Sequence, residues 1–377
     1  MPVLVRVPRP EERAYRLARH GLVPERSTPA GVDALASATY GLHAARQSSP
    51  WVTLRTRLPA FEPTELRHML SGERRLIKVR CMRQTLHILP LDLARTAHHA
   101  TLRQRLAPCR ARLRRLGRSD TALRDACARV RAVLGETPVP YRELEARAAS
   151  TRHQVSLIRI AIKWLWETGE VAHVDLSPSL HHEHRAFVAT EAQYPGLDLR
   201  AEAPDLQSSC DALVREHLRA FGPASIADTA WWSGLGRTAV RDAVMRAGGE
   251  FVPVALDGVS DELLLAADEL ERLRDTEPLD PGHVTLLAYE DPTLKGYFST
   301  RSRYVDACHY DLLFNTIGEA RAAIMVGGEA VGIWSFDRRG RRVTHSLMRR
   351  LTKGVRSTIA ERLLDMEDFL RAEPMFP

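Results

Sequence analysis

Three consecutive runs decide the fold: ALRDACARVRAVLG (122–135), VPYRELEARA (139–148) and SLIRIAIKWLWETGEV (156–171). The first places apolar residues at helical spacing and stops at Gly135. The second follows Pro138 and Pro140, as a short second helix would. The third predicts a helix ending near Gly169. Two strand-like runs come next, VAHVDL (171–176) and HRAFVAT (184–190), separated by a polar loop. Helix, short helix, helix and a two-stranded wing is the order of a winged helix.

The order recurs downstream. SSCDALVREHLRAFG (208–222) predicts a helix that stops at Gly222. SIADTAWWSG (225–234) predicts a short helix with Ser225 as N-cap, and RTAVRDAVMRAGG (237–249) a third helix closed by glycines. EFVPVALDG (250–258) and DELLLA (261–266) read as paired strands. Upstream, residues 10–95 open with helical periodicity and reach CMRQTLHILP (81–90). That run alternates apolar and polar residues up to Pro90, predicting a strand with Arg83, Thr85 and His87 on one face. TLRQRLAPCRARLRRLGR (101–118) predicts an exposed basic helical connector interrupted at Pro108. Beyond residue 280 the chain turns β-rich. AAIMVGGEAVGIWSF (322–336) predicts a hairpin with Gly327 and Gly328 at its turn, and TIAERLLDMEDFLRA (358–372) a closing amphipathic helix. The expectation is an α/β chain, mainly α with β wings, divided at 1–118, 119–204, 205–279 and 280–377.

Composition narrows the function. The chain has 377 residues, of which 44% are hydrophobic and 27% charged, which excludes a mainly disordered protein. No apolar run approaches the roughly 18 to 20 residues of a membrane-spanning helix. The opening MPVLVRVPRPEER has no apolar core of signal-peptide length, so a cytoplasmic protein is expected. Cys81, Cys109, Cys127, Cys210 and Cys308 lie far apart with no CxxC, which argues against a disulfide framework or a zinc site. A net charge of +7, carried almost wholly by Arg, points to an acidic partner, of which nucleic acid is the commonest.

No Gly-rich phosphate loop, HExxH or GxSxG occurs, so neither a cofactor nor a metal is expected. His181, His182 and His184 fall in a wing loop, where they read as solvated or DNA-contacting rather than as metal ligands. Trp164, Trp166, Trp231 and Trp232 lie on predicted helices and read as core. His98 and His99 have no obvious partner.

Three stretches carry a resemblance: MRQTLHILP (82–90), FGPASIADTAWWSGL (221–235) and LLAYEDPTLKGYFSTRSR (286–303). In this order, with the AIMVGGEAVGIW hairpin following, they are similar to signatures of the AlkZ/YcaQ-like winged-helix proteins of bacteria. That family includes DNA glycosylases that excise bulky alkylated bases. The resemblance implies three tandem winged-helix units plus a C-terminal β-barrel-like element around a basic DNA channel. It implies a monofunctional glycosylase acting on bulky N7- or N3-alkylated purines in duplex DNA, with self-resistance to a DNA-alkylating natural product as a setting.

The family's catalytic string is a Gln-x-Gln or Gln-x-Asp pair. Here the matching string is GLHAAR (41–46), which puts His43 at the first position and Ala45 at the second. Ala45 supplies no hydrogen bond, so half of the water-holding pair is missing. An N7-alkylated guanine leaves as a neutral base, so its glycosidic bond is already weakened. The enzyme has only to position a water near C1′ and stabilise an oxocarbenium-like sugar. A neutral His43 can hold that water and accept its proton. Arg46 and Gln47 are the candidates for the missing second group. No lysine lies near the motif, so an abasic product without strand cleavage is expected.

Arg83, Gln84 and His87 belong to the segment expected beside the DNA cleft. Arg301 and Arg303 follow a tight turn and read as phosphate ligands, with a surface ion pair to Asp291 or a neighbouring carboxylate as the bland alternative. Asp291 and Tyr297 read as loop stabilisers. The Gly327–Gly328 turn reads as a minor-groove tip. The RRGRR turn (338–342), with Arg338, Arg339 and Arg341, is the strongest local phosphate-contact candidate. A monomer acting on alkylated double-stranded DNA is the expected state. The competing readings are a non-catalytic winged-helix DNA binder, favoured by Ala45, and an RNA-binding or protein-interaction module.

Overall fold

The structure, a computed structural model, describes residues 4–26, 29–200 and 205–372. One arrangement recurs three times along it. The first copy runs through helix Val32–Ala38, strand Leu42–His43, helices Ser49–Arg55 and Pro63–Arg67, and strands Leu76–Arg80 and Leu86–Pro90. The second runs through helix Asp120–Val133, strand Val139–Pro140, helices Tyr141–Ala148 and Val155–Glu167, and strands Val171–Asp175 and Arg185–Ala189. The third comprises helix Leu206–Phe221, strand Ala224–Ser225, helices Ile226–Ser233 and Arg237–Arg246, and strands Phe251–Leu256 and Leu263–Ala266. In every copy the last strand is central, pairing antiparallel with both the short first strand and the strand before it.

Local sequence explains these elements. Helix Val155–Glu167 buries Ile158, Ala161, Ile162 and Leu165, an unbroken i, i+3, i+4, i+7 stripe. Helix Ile226–Ser233 opens with a capping box. Ser225 Oγ accepts the Asp228 N–H while the Asp228 carboxylate accepts the Ser225 N–H. The helix stops at Gly234, whose φ of 78° is left-handed. The predicted strand 81–90 is divided. Met82–Gln84 forms a tight turn with φ of 50° at Arg83 and 63° at Gln84, and only Leu86–Pro90 is extended. Arg83 and His87 therefore do not share one alternating face.

The N-terminal strand Val5–Val7 pairs in parallel with Phe251–Leu256, so the start of the described chain sits on the third copy. Helix Arg9–Arg19 continues along that face. The predicted connector is instead part of one continuous helix, Leu91–Arg115, which passes through Pro108. Its Ala94, Ala97 and Ala100 belong to the main core. Arg105 is fully buried. It donates to the Glu167 carboxylate and carbonyl and to the His98 carbonyl, and its guanidinium also meets His98 Nδ1. His98 in turn packs edge-on against His99. The charge density of this run suggests exposure, but a fully paired guanidinium can be buried.

Strands Val284–Leu287, Ala323–Val326, Glu329–Asp337 and Arg342–Leu347 form an antiparallel meander. Helix Lys353–Arg371 packs on it through Ile359, Leu363, Met366 and Leu370. The two outer strands do not pair with each other among the described residues, so the sheet is open. The Gly327–Gly328 turn is the predicted one, with φ of 56° and 81°. It is not a free tip. The Gly327 N–H donates to the His283 carbonyl, and a Cβ on Gly328 would lie 2.8 Å from Arg13 Cβ.

Burial of histidines gives the fold an acid limit. Burial lowers His20 to about 3 and His87 and His217 to about 4, and drives His43 and His98 well below 6.5. The unfolded chain takes up these protons below about pH 6.5, whereas the folded chain does so only near pH 4 or lower. Stability is therefore full at neutral pH and falls as pH drops from about 6.5 towards 4. The slope is at most about 1.4 kcal/mol per pH unit for each histidine. Urea midpoints measured at pH 7.5, 6.0 and 5.0 should fall at each step; a flat series refutes this account.

Candidate active site

His43 is placed by pairing. Leu42 and His43 align with Ile88 and His87 of the neighbouring strand. The chain enters through Tyr40 and Gly41, with φ of 46° and 93°. Gly41 is required there, because a Cβ would lie 2.6 Å from Leu89 Cδ2 and 3.0 Å from the Ile88 carbonyl. The His43 ring is 4% exposed and meets the His87 ring edge-on at 5.1 Å. His87 lies beneath it, buried, with Nδ1 3.4 Å from Cys81 Sγ. His87 therefore supports His43 from beneath and is not the exposed DNA contact expected of it.

Neither ring nitrogen of His43 has a hydrogen-bond partner among the described residues. Nε2 lies 3.4 Å from Glu290 Oε2, off the line that a hydrogen bond needs. Burial lowers the imidazole pKa, and His87, Lys295 and Arg83 add to the effect. The ring is neutral at physiological pH.

Glu290 is buried and left-handed, with φ of 58°. Its N–H donates to the Ala320 carbonyl, and its Oε1 accepts the Ala320 N–H. Its Oε2 lies 2.9 Å from Lys295 Nζ. Burial raises its pKa above the ordinary carboxylate value, and Lys295 opposes that rise. Lys295 is pushed the other way by burial, with Arg83 and Arg301 adding like charge and Glu290 opposing. The half-buried Trp231 ring collects three cations, with Arg83 at 3.9 Å, Lys295 at 4.7 Å and Arg301 at 4.9 Å from its centroid. Tyr40, three residues before His43, Arg83 and Gln84, just before its neighbouring strand, and Glu290 are all non-glycine residues at positive φ. Such strain persists only where surrounding structure imposes it, and it concentrates at functional sites.

The residues expected to replace the missing second group turn elsewhere. Gln47 donates to Asp175 of the second copy. Arg46 stacks on the Tyr289 ring at 3.3 Å. Both line a cleft of about 840 Å³ with His181, Arg321, Trp334 and Arg338, and His43 is outside that lining. His181 stacks on Phe336 at 5.2 Å. No group of three or more His, Cys, Asp or Glu among the described residues is placed to hold a metal.

Arg301 and Arg303 are not the exposed phosphate ligands that their place after the turn suggests. Both are fully buried. Arg301 donates to the Tyr297 and Gly318 carbonyls and to the Tyr310 hydroxyl. Arg303 donates to Glu12 and to the Pro223 carbonyl. Neither can reach a phosphate, and neither pairs with Asp291, which Arg57 grips bidentately. Asp291 and Tyr297 do hold the loop: Asp291 accepts the Thr293 N–H and Tyr297 donates to the Phe221 carbonyl. Arg338, Arg339 and Arg341 are exposed, as a phosphate-binding turn requires. Arg338 also donates to the His181 carbonyl and Arg341 to the Arg371 carbonyl. Arg83 is partly exposed over Trp231.

Of the tryptophans expected in the core, only Trp232 is fully buried. Sequence reasoning also misses Glu290 and Lys295. Both stand in the EDPTLKGY string, which reads as loop scaffolding from sequence, and only the fold brings that string to His43.

The DNA glycosylase AlkZ-like family model matches residues 36–369. Among solved structures, the Streptomyces sahachiroi DNA glycosylase AlkZ is similar in fold. It superposes with a TM-score of 0.75 at 19% identity, over 98% of this chain and 97% of that one. No curated protein sequence matches.

Proposed function

The chain belongs to the AlkZ-like DNA glycosylase family, and from that premise we propose that it hydrolyses the N-glycosidic bond of bulky N7- or N3-alkylated purines in duplex DNA. Its three repeated helix-and-wing copies are read as three tandem winged helices that grip the duplex. The proposed setting is the cytoplasmic nucleoid, in self-resistance to a DNA-alkylating natural product.

One observation carries the reading. At the position that matches the family's catalytic string stands a neutral, buried His43 with both ring nitrogens unpartnered among the described residues, 3.4 Å from a carboxylate. His43 orients a water towards C1′ and accepts its proton. Glu290 occupies the role that Ala45 leaves open. Its negative charge faces the developing oxocarbenium in a site of low dielectric. Lys295, 2.9 Å away, opposes the rise that burial imposes on the pKa of that carboxylate. Exposed Phe298, stacked on Trp231, offers an apolar wedge beside the site.

The test is base release from a duplex carrying a defined N7-alkylguanine. Alkali-labile abasic sites are expected. No release from either a small or a bulky adduct, with tight salt-sensitive duplex binding, makes the chain a non-catalytic binder instead. For the grip itself, replacing Arg338, Arg339 and Arg341 together with Ala should weaken binding to all sequences alike. The dependence of log K on log salt should become shallower by about one unit for each phosphate that is no longer neutralised. An unchanged slope removes this turn from the interface.

A further inference from the structure

We propose that the same site carries a second activity, strand cleavage at abasic sites, with the Lys295 amine as the nucleophile. The expectation of an abasic product without cleavage rests on the absence of a lysine near GLHAAR. The fold supplies one. Lys295 Nζ lies 2.9 Å from Glu290 Oε2, and His43 Nε2 lies 3.4 Å from that same oxygen. A sugar carbon held against His43 is therefore within reach of the amine. The proposal relies on the glycosylase reading only for where the sugar lies.

The surroundings suit an amine nucleophile. Lys295 is mostly buried, with 12% of its side chain exposed, so it is reachable but poorly solvated. Arg83 and Arg301 crowd the same Trp231 ring as Lys295, and like charge favours the neutral amine. Glu290 is placed to take the ammonium proton. His43 is neutral, and its ring nitrogens have no other hydrogen-bond partner among the described residues.

The steps balance without an oxidant or reductant. The ring-opened abasic sugar presents an aldehyde at C1′. Nζ adds to it, and the carbinolamine loses its hydroxyl as water to give a protonated imine. His43 removes a proton from C2′. The resulting electron pair expels the 3′ phosphate as the C3′–O bond breaks. Water then hydrolyses the imine, freeing Lys295 and leaving an unsaturated aldehyde on the 3′ end.

The test uses the full chain and a duplex with one abasic site, made beforehand by enzymatic removal of uracil. Borohydride reduces the imine to a stable amine and traps protein on DNA. A covalent band is expected from wild type, with the adduct on the peptide containing Lys295. Lys295→Arg keeps a cation beside Glu290 but not a nucleophilic amine. It should melt and bind duplex as wild type does, yet lose the band and the cleaved product. No band from wild type, or a band of undiminished intensity from Lys295→Arg, overturns the proposal. Base release from alkylated duplex is scored separately. Its failure with trapping intact defeats the glycosylase reading alone, and trapping that fails with base release intact defeats this inference alone.

Discussion

His43→Ala slows release of an alkylated purine by about 100- to 10,000-fold, the range general acid–base groups contribute. The loss falls on the chemical step, because the buried ring offers little surface for ground-state binding. His43→Gln retains most of the rate, since an amide can still hold the water. Glu290→Gln keeps the shape but removes the charge facing the sugar, so it is also slow. The pH profile distinguishes the two groups. His43 is already neutral at physiological pH because burial lowers its pKa. Glu290 has its pKa raised by burial, so the rate falls as acid protonates it, at a pH above the ordinary carboxylate range. Single-turnover rates for the variants, and for wild type between pH 5 and 9, check this. A rate unchanged in His43→Ala moves the chemistry to other residues.

Asp228→Ala should destabilise the fold by about 3–5 kcal/mol, the loss expected when a buried charged group is removed from its partners. Asp228 Oδ1 accepts the Phe298 and Ser299 N–H groups at 2.7 and 2.8 Å. Its Oδ2 accepts the Thr300 and Ser225 hydroxyls at 2.7 and 2.9 Å. Truncation leaves the buried Thr300 and Ser225 hydroxyls and the partly buried Phe298 and Ser299 N–H groups without this acceptor, and leaves the Arg303 charge with less compensation. Ser225→Ala removes the hydroxyl that accepts the Asp228 N–H and donates to Asp228 Oδ2, leaves the carboxylate and its other donors in place, and should cost less, about 1–2 kcal/mol. Guanidinium midpoints at constant m-value measure both. Equal shifts for the two variants contradict the account.

Helix periodicity and punctuation expose the second and third copies, because their longer helices carry apolar stripes and stop at or beside a glycine. The Gly327–Gly328 hairpin is legible for the same reason. Long helix Leu91–Arg115 is not. Arg105 reads as a surface charge until Glu167, sixty-two positions on, provides its partner. Arg301 and Arg303 mislead in the same way: their partners are Tyr297, Gly318, Glu12 and Pro223, and only the fold assembles these. The candidate site is half legible. His43 can be found because its string is local. Glu290 and Lys295 cannot, since their relation to His43 exists only once the 284–297 segment packs against the first copy.

The parallel pairing of Val5–Val7 with Phe251–Leu256 orders events during synthesis. The first strand leaves the ribosome with its partner still untranslated. At roughly 5–20 residues per second, that partner follows about 12–50 s later. Contacts of such long range close slowly, whereas each helix-and-wing copy is assembled from neighbours. The copies can therefore form in turn as they emerge, with the initial strand docking last. Until then its open edge and the apolar face of Arg9–Arg19 are exposed, and that interval is when the nascent chain is most open to chaperones or to aggregation.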